Sequence, residues 1–313
     1  MSVMASPRVL AFAQLVRLPN VFTAFADIAL AACVGVAVTS GTADGGFWLR
    51  AFLLALASGC LYTAGMVWND YFDFAEDLAA RPFRPLPSGR VTKRTAVVLG
   101  VVLMLGGLLF AGLAGVPGRA SWSGDPLVFA LALAVLVLLY DGWLKRTPVG
   151  PVAMASCRFF NVLLGLSVVG EDVFDMTMRT HLAGVVGVYI VGVTWFARTE
   201  EGQSRRKHLG GAAGVMVASL ALALALKARL AAGQGTFLFP YLLVAFGFLV
   251  GVPVARAIKK PGPREVQAAV KRCVLGLVAL DAVLATAFVG LPGLAILLLL
   301  PPALAIGKWV YST

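Results

Sequence analysis

Apolar residues in this chain come in unbroken runs, not in the alternation of a half-buried strand or the narrow stripe of a water-facing helix. Runs near 21–39, 47–69, 95–116, 126–140, 150–169, 181–197, 211–231, 236–255, 266–290 and 293–310 approach the length that crosses a hydrocarbon core at about 1.5 Å per residue. The pattern predicts an all-α polytopic membrane protein. Nine crossings follow from it, and the last two runs, separated only by "LPG", leave a tenth open.

Composition agrees, with 60% hydrophobic and 13% charged residues among 313. No polar stretch is long enough for a soluble domain, so residues 1–313 read as a single transmembrane domain. The charged minority carries the topology, because Lys and Arg accumulate in short cytoplasmic loops. Arg8 and Arg17 precede the first run, Arg81 to Arg94 follow the second, and Lys145 and Arg146 follow the fourth. Arg198 to Lys207 follow the sixth run, and Arg256 to Arg272 the eighth. The intervening loops hold Asp44, Asp125, Glu171, Asp172 and Asp175. The amino terminus and the basic loops are therefore expected in the cytoplasm, as in a bacterial inner membrane. The net charge of +11 is then a topology signal and an attraction to anionic lipid, which argues against nucleic acid as a partner.

Cys33, Cys60, Cys157 and Cys273 fall in or beside apolar runs without CxxC spacing, so they read as small packing residues. The basic lead-in, residues 1–20, is amphipathic and lacks the signature of a cleavable signal peptide, which predicts an interfacial helix.

Polar chemistry concentrates in the cytoplasmic loops 70–94 and 198–210, at comparable places after the second and sixth runs. That recurrence suggests two related helical units with a site between them. The first loop reads "WNDYFDFAEDLAARPFRPLPSGR". On a helix continuing out of the second run, Asn69, Asp73 and Asp77 would project from one face. Such oxygens repel one another unless a hard cation joins them, and Mg²⁺ favours carboxylate oxygens completed by substrate phosphates and water. Asp70 adds a further oxygen donor. Arg81, Arg84 and Arg90 follow within reach, and arginine suits bidentate phosphate contacts. Acids and arginines together describe a metal-bridged diphosphate. The alternative is a solvated loop in which they merely pair.

At these residues the chain resembles the UbiA superfamily of intramembrane prenyltransferases. The likeness rests on "RLPN" before the first run, "NDYFDFAED" with "RPFRPLPSGR", "LKRTPVGP" between the fourth and fifth runs, and the polar loop after the sixth. It implies a helical bundle that binds a polyprenyl diphosphate through Mg²⁺ and transfers the prenyl group to an acceptor, here unidentified. Carried onto this chain, it implies Asp73, Lys145 and Glu200 as catalytic residues. The metal would be held by Asn69, Asp70, Asp73, Asp77 and Glu200. Diphosphate contacts would come from Asn20, Arg81, Arg84 and Lys145 in the first half, with Arg158, Arg198 and Arg205 in the second. The chain also departs from the family. The second acidic motif is replaced by "VTWFARTEEGQSRRKHLGG", which keeps Glu200 but has Val193 and Ser204 where acids are expected. Arg198, Arg205, Arg206 and Lys207 crowd that loop instead. The family's tyrosine before "KR" is displaced, leaving Asp141 with Tyr140 just before it. With "CRFFNVLLGLS", these departures resemble a divergent branch associated with the bacterial ebo gene cluster.

Ionisable groups inside a membrane usually face a cavity or a partner. Arg158 is expected to face a cavity, in contact with diphosphate or acceptor, against the simpler reading that it snorkels to the surface. Asn20 is expected to line the site, and Asp27 and Asp281 are open to either a site or an inter-helix role. His181 and His208 read as loop residues. The CDP-alcohol phosphotransferases are disfavoured because "DG" at 141–142 lacks the rest of their motif. The depleted second motif keeps a different class of function open, a protein that binds or translocates a lipid diphosphate without catalysis.

Overall fold

The computed structural model describes residues 7–39, 41–116, 123–198, 205–230 and 236–311, and within them the ordered elements are helices. A short α1 (Pro7–Leu15) leads through the turn Leu18–Asn20 into α2 (Val21–Val38), α3 (Gly45–Phe72) and the small α4 (Phe74–Ala80). Then come α5 (Lys93–Ala114), α6 (Asp125–Gly142), α7 (Gly150–Leu166) and α8 (Met176–Ala197). The second half continues with α9 (Arg206–Leu226), α10 (Phe239–Lys259), α11 (Pro263–Val289), a 3₁₀ stretch Leu291–Leu299 and α12 (Leu300–Tyr311).

Local chemistry sets where these helices start. Asp44, Thr92 and Asp175 accept N-cap hydrogen bonds from the backbone of Phe47, Thr95 and Met178 at the starts of α3, α5 and α8. The Met178 N–H also holds the exposed Asp175 carboxyl below the usual carboxylate range. Proline sits in the first turn of α6, α7, α10 and α11, where its missing N–H costs nothing.

Nine segments are long and apolar enough to cross a membrane among the described residues. The count differs from the sequence reading in its particulars. The final segment, Leu291–Val310, qualifies, whereas α7 is the shorter apolar helix of 17 residues. The final segment gains reach from its first nine residues being 3₁₀. That form rises about 2.0 Å per residue and an α-helix about 1.5 Å, so the stretch and α12 together extend about 36 Å, beyond a core of about 30 Å. Gly293 lets the chain turn back closely on α11, since a Cβ there would lie 2.7 Å from the Thr286 nitrogen. The return ends beside the start of the chain, where the Gln14 amide donates to the Val310 carbonyl at 3.0 Å. Within the expected lead-in, residues 7–15 form α1, with Ala11 and Leu15 buried and Val9 and Phe12 exposed, and residues 1–6 lie outside the described residues.

The short α7 is closed at its far end by two arginines that sequence reasoning passed over. Arg50 donates to the Val168 carbonyl at 3.1 Å, and Arg179, fully buried, donates to Val169 at 2.8 Å and Phe174 at 2.7 Å. A helix end within a membrane must have its carbonyls satisfied by protein, and cations there also suit the helix dipole. His181 belongs to α8 and reaches the Leu222 carbonyl on α9 at 2.9 Å, and His208 lies in the first turn of α9. Neither is a loop residue, because α8 and α9 both begin earlier than their apolar runs do. The four cysteines are free thiols.

Candidate functional site

A cavity of about 290 Å³ opens within the bundle, walled by α3, α6, α7, α8 and α11. Leu61, Met66, Leu133, Val137, Ile190 and Leu277 give it an apolar body, and Arg17, Asn20, Asn69, Tyr140 and Asp141 supply one polar edge. Arg158 and Asn161 supply another, from α7. Asn20 lines the cavity, and Arg17 from the same "RLPN" segment joins it. Arg17 takes a left-handed backbone conformation, φ 46°, at the turn into α2.

The loop after α3 does not continue as one straight helix. It breaks at Asp73, whose φ of −87° and ψ of 5° end α3 and start α4. Asn69, Asp73 and Asp77 consequently have three different sets of partners, which corrects the expected single stripe. Asn69 accepts from Arg17 at 3.0 Å and donates to Asp141 at 3.1 Å. Asp73 pairs with Lys145 at 2.7 Å and Arg146 at 3.1 Å. Asp77 pairs with Arg84 at 2.6 Å and Arg81 at 3.5 Å. Asp70, inward of them, is held by Arg17 at 3.2 Å and Arg84 at 3.5 Å.

Repulsion among the acids is thus relieved by the chain's own cations. Asp70 and Asp77 are nearly inaccessible, at 3% and 2% exposure, so each anion depends on its arginines for compensation. Asp73 is the more accessible acid, with its side chain 18% exposed. Among the described residues no three His, Cys, Asp or Glu side chains are gathered closely enough to hold a metal by themselves. The oxygen donors still fit Mg²⁺, an ion that commonly takes one or two carboxylates and completes its shell with substrate phosphates and water.

The loop between α6 and α7 joins the two halves of the site. Gly150 lets α7 start close to this loop, since a Cβ there would lie 2.9 Å from the Lys145 carbonyl. Lys145 anchors the loop to Asp73, while Arg198, at the end of α8, donates to the Pro148 carbonyl at 3.3 Å and to that of Thr147. Arg205 is exposed at the start of α9, and Arg206 turns away to the Lys259 carbonyl at 3.0 Å. Glu200 and Ser204 lie outside the described residues.

Arg158 faces the cavity but does not join the acids and arginines at its mouth. Its guanidinium donates to Asp27 at 3.2 Å and Thr23 at 2.6 Å, and lies 5.2 Å from the centre of the Tyr62 ring. Asn161 donates to the same Asp27 oxygen at 2.7 Å and accepts from Ser58 at 2.7 Å. Asp27 is thereby an inter-helix partner. Sequence spacing shows which residues share a helix face, but not these contacts between α2, α3 and α7. The contacts of Arg17 and Asp141 were missed although both lay within segments already singled out, the "RLPN" motif and the displaced tyrosine position.

The fold and the cavity define an all-helical membrane protein with a charged mouth above an apolar chamber. Residues 28–273 match the UbiA prenyltransferase family, and the chain belongs to it. A similar relative is a digeranylgeranylglyceryl phosphate synthase of Thermococcus gammatolerans, 34% identical over 149 residues, or 46% of this chain and 50% of the relative. The chain thus matches about half the length of that relative. A solved structure concerning digeranylgeranylglyceryl phosphate synthase in membranes shares the fold at 18% identity, with a TM-score of 0.64 over 90% of this chain and 98% of the other. A UbiA homologue from Archaeoglobus fulgidus bound to DMAPP and Mg²⁺ has a TM-score of 0.60 at 11% identity, covering 85% of this chain and 98% of its own.

Proposed function

We propose that the protein transfers a prenyl group from a polyprenyl diphosphate to an acceptor, releasing diphosphate, with Mg²⁺ as cofactor. The observation that carries this reading is the joining of an apolar cavity to a mouth of oxygen donors and cations. The Archaeoglobus homologue, whose structure holds DMAPP and Mg²⁺, supports it. Asn69 and Asp73, with Asp77 if Arg84 releases it, would hold the metal. When bound, Mg²⁺ would neutralise charge on the diphosphate oxygens.

The chain's residues divide the remaining work. Arg17, Lys145 and Arg84 offer donors to the diphosphate, favouring cleavage of the allylic carbon–oxygen bond as negative charge gathers on the leaving group. Leu61, Met66, Leu133 and Ile190 enclose the prenyl tail and exclude water that would otherwise quench the allylic cation. Tyr62 and Tyr140, which line the cavity, supply aromatic rings beside that cation. A bond then forms from the acceptor to the prenyl carbon, and the acceptor loses a proton, which the Asp141 carboxylate lining the cavity could take. Isotope-labelled polyprenyl diphosphates incubated with a lipid extract should yield labelled product and diphosphate only with Mg²⁺. Binding without diphosphate release would favour a lipid-diphosphate translocator instead.

The second loop is read as an asymmetric diphosphate clamp. Without acids at Val193 and Ser204, Glu200 offers too few ligands for a second metal cage, whereas Arg198 carries a permanent charge. Arg198→Ala should weaken diphosphate binding by about one to two decades, the equivalent of a charge-assisted hydrogen bond of about 1.5–3 kcal/mol, and by more than Glu200→Ala does. Titration of both variants with a labelled diphosphate checks this; loss of binding in Glu200→Ala alone would make the loop a conventional metal site.

The membrane orientation completes the proposal. The ends that carry Arg84, Lys145, Arg206 and Lys260 face the cytoplasm, in keeping with the positive-inside distribution. In intact cells, single cysteines at those four positions, in a background without native cysteines, should be protected from an impermeant reagent, while cysteines at Gly45 and Asp172 react. Labelling of the Arg206 position from outside would reverse the assignment.

A further inference from the structure

A second set of charged groups lies in the membrane interior, where α2, α7 and α11 meet. Asp27 on α2 and Asp281 on α11 are both at 0% exposure on helices packed against each other, and their carboxyl groups are close enough to interact directly. Two ionised carboxylates in such proximity cannot satisfy each other, since each only accepts, whereas a single proton would join them. With both groups ionised, neither oxygen of Asp281 has a hydrogen-bond donor among the described residues, and Asp27 Oδ1 has none among them either. The other oxygen of Asp27 receives Arg158 and Asn161.

Counting charge leads to the same place. Arg158 is the cation that faces Asp281 among the described residues, and from α8 the ionisable Tyr189 hydroxyl donates to the Cys273 carbonyl at 2.8 Å. Two buried anions against one cation would leave an uncompensated negative charge in the membrane interior, beside a second like charge. Such an arrangement is strongly disfavoured, and carboxyl pairs in contact resolve it by keeping a proton.

We infer that Asp27 and Asp281 form a proton-binding site, holding one proton between them, and that the resulting monoanion is the counterion of Arg158. The Asp27–Asp281–Arg158 group then carries no net charge. This does not depend on the proposed transferase activity. It bears on that activity through Arg158, which lines the cavity as a neutralised donor and is not an open anion site. The inward part of the cavity is accordingly matched to an uncharged hydrogen-bonding group on the acceptor.

Infrared difference spectra of protein labelled with ¹³C-aspartate, taken at neutral pH in lipid nanodiscs, test the inference without any substrate. Wild type minus Asp281→Asn should show the loss of a carboxylic-acid carbonyl band with the carboxylate bands unchanged. Wild type minus Asp27→Asn should show the same, because either remaining acid ionises as the sole partner of Arg158. Loss of carboxylate intensity alone in these spectra would mean that both acids are ionised, and a carboxylic-acid band kept by each single variant would mean that both are protonated; either result overturns the inference. Melting temperature gives a second readout. Asp281→Asn replaces the shared proton with an amide donor and should melt close to wild type, whereas Asp281→Ala, which leaves Asp27 Oδ1 without a donor, should melt lower. A large rise in the melting temperature of Asp281→Asn would indicate relief of repulsion between two anions and would likewise overturn the assignment.

Discussion

Asp73→Ala should abolish Mg²⁺-dependent binding of a polyprenyl diphosphate while leaving the protein folded. Asp73 is the most accessible of the three acids at 70, 73 and 77, it sits at the break between α3 and α4, and it holds Lys145 at 2.7 Å. Its removal takes away a hard oxygen ligand and also releases the loop that carries Lys145. The expected loss is at least about 100-fold in affinity, or about 2.7 kcal/mol, measured by titration of labelled diphosphate with and without Mg²⁺. Thermal stability should fall only in part, because the Arg146 pair is solvent-exposed and of small net worth, while Lys145, with its side chain 13% exposed, loses its carboxylate. Undiminished metal-dependent binding by this variant would remove Asp73 from the metal site.

A different profile is expected of Arg84→Ala, which should cost stability as well as diphosphate binding. The Arg84 guanidinium lies between two nearly inaccessible carboxylates, 2.6 Å from Asp77 and 3.5 Å from Asp70. Without it, Asp77 keeps the longer Arg81 contact, at 3.5 Å, and Asp70 keeps Arg17 at 3.2 Å. Breaking a buried pair from one side leaves a charge uncompensated, and about 3 kcal/mol of stability should be lost. Adding Asp77→Asn should recover a large part of that loss, since the second change removes the stranded anion. A double-mutant cycle followed by thermal unfolding in detergent measures the coupling. If Arg84→Ala alone is silent, the cluster at the mouth is loosely solvated and does not organise the α4 loop.

Crossings and their order were legible because membrane solvent imposes one simple rule, a long apolar run for each pass. The rule is weakest where helix geometry changes, as it does between Leu291 and Leu299, where the 3₁₀ form covers the same depth with fewer residues. Arg50 and Arg179 were illegible for a related reason. A charge near the end of an apolar run reads as a boundary, and only the fold shows the Val168 and Val169 carbonyls that these side chains satisfy. At the mouth, sequence spacing drew attention to Asn69, Asp73 and Asp77. It assumed helical continuity through Asp73, and so could not assign each oxygen its partner. Asp27, Arg158 and Asp281 come from helices far apart in sequence, and their meeting is a product of packing.

The pairing of acids with arginines at the mouth also has a consequence for the ionic character of ligand capture. Asp73 and Asp77 already hold Lys145, Arg146, Arg81 and Arg84. A metal-bound diphosphate arriving there would meet a closed set of internal ion pairs, and binding becomes a double exchange in which acids pass to metal and arginines pass to phosphate. Fewer small ions from solution need be displaced than at an open basic patch. Capture should therefore respond only shallowly to added salt, with the protein serving as its own reservoir of counterions.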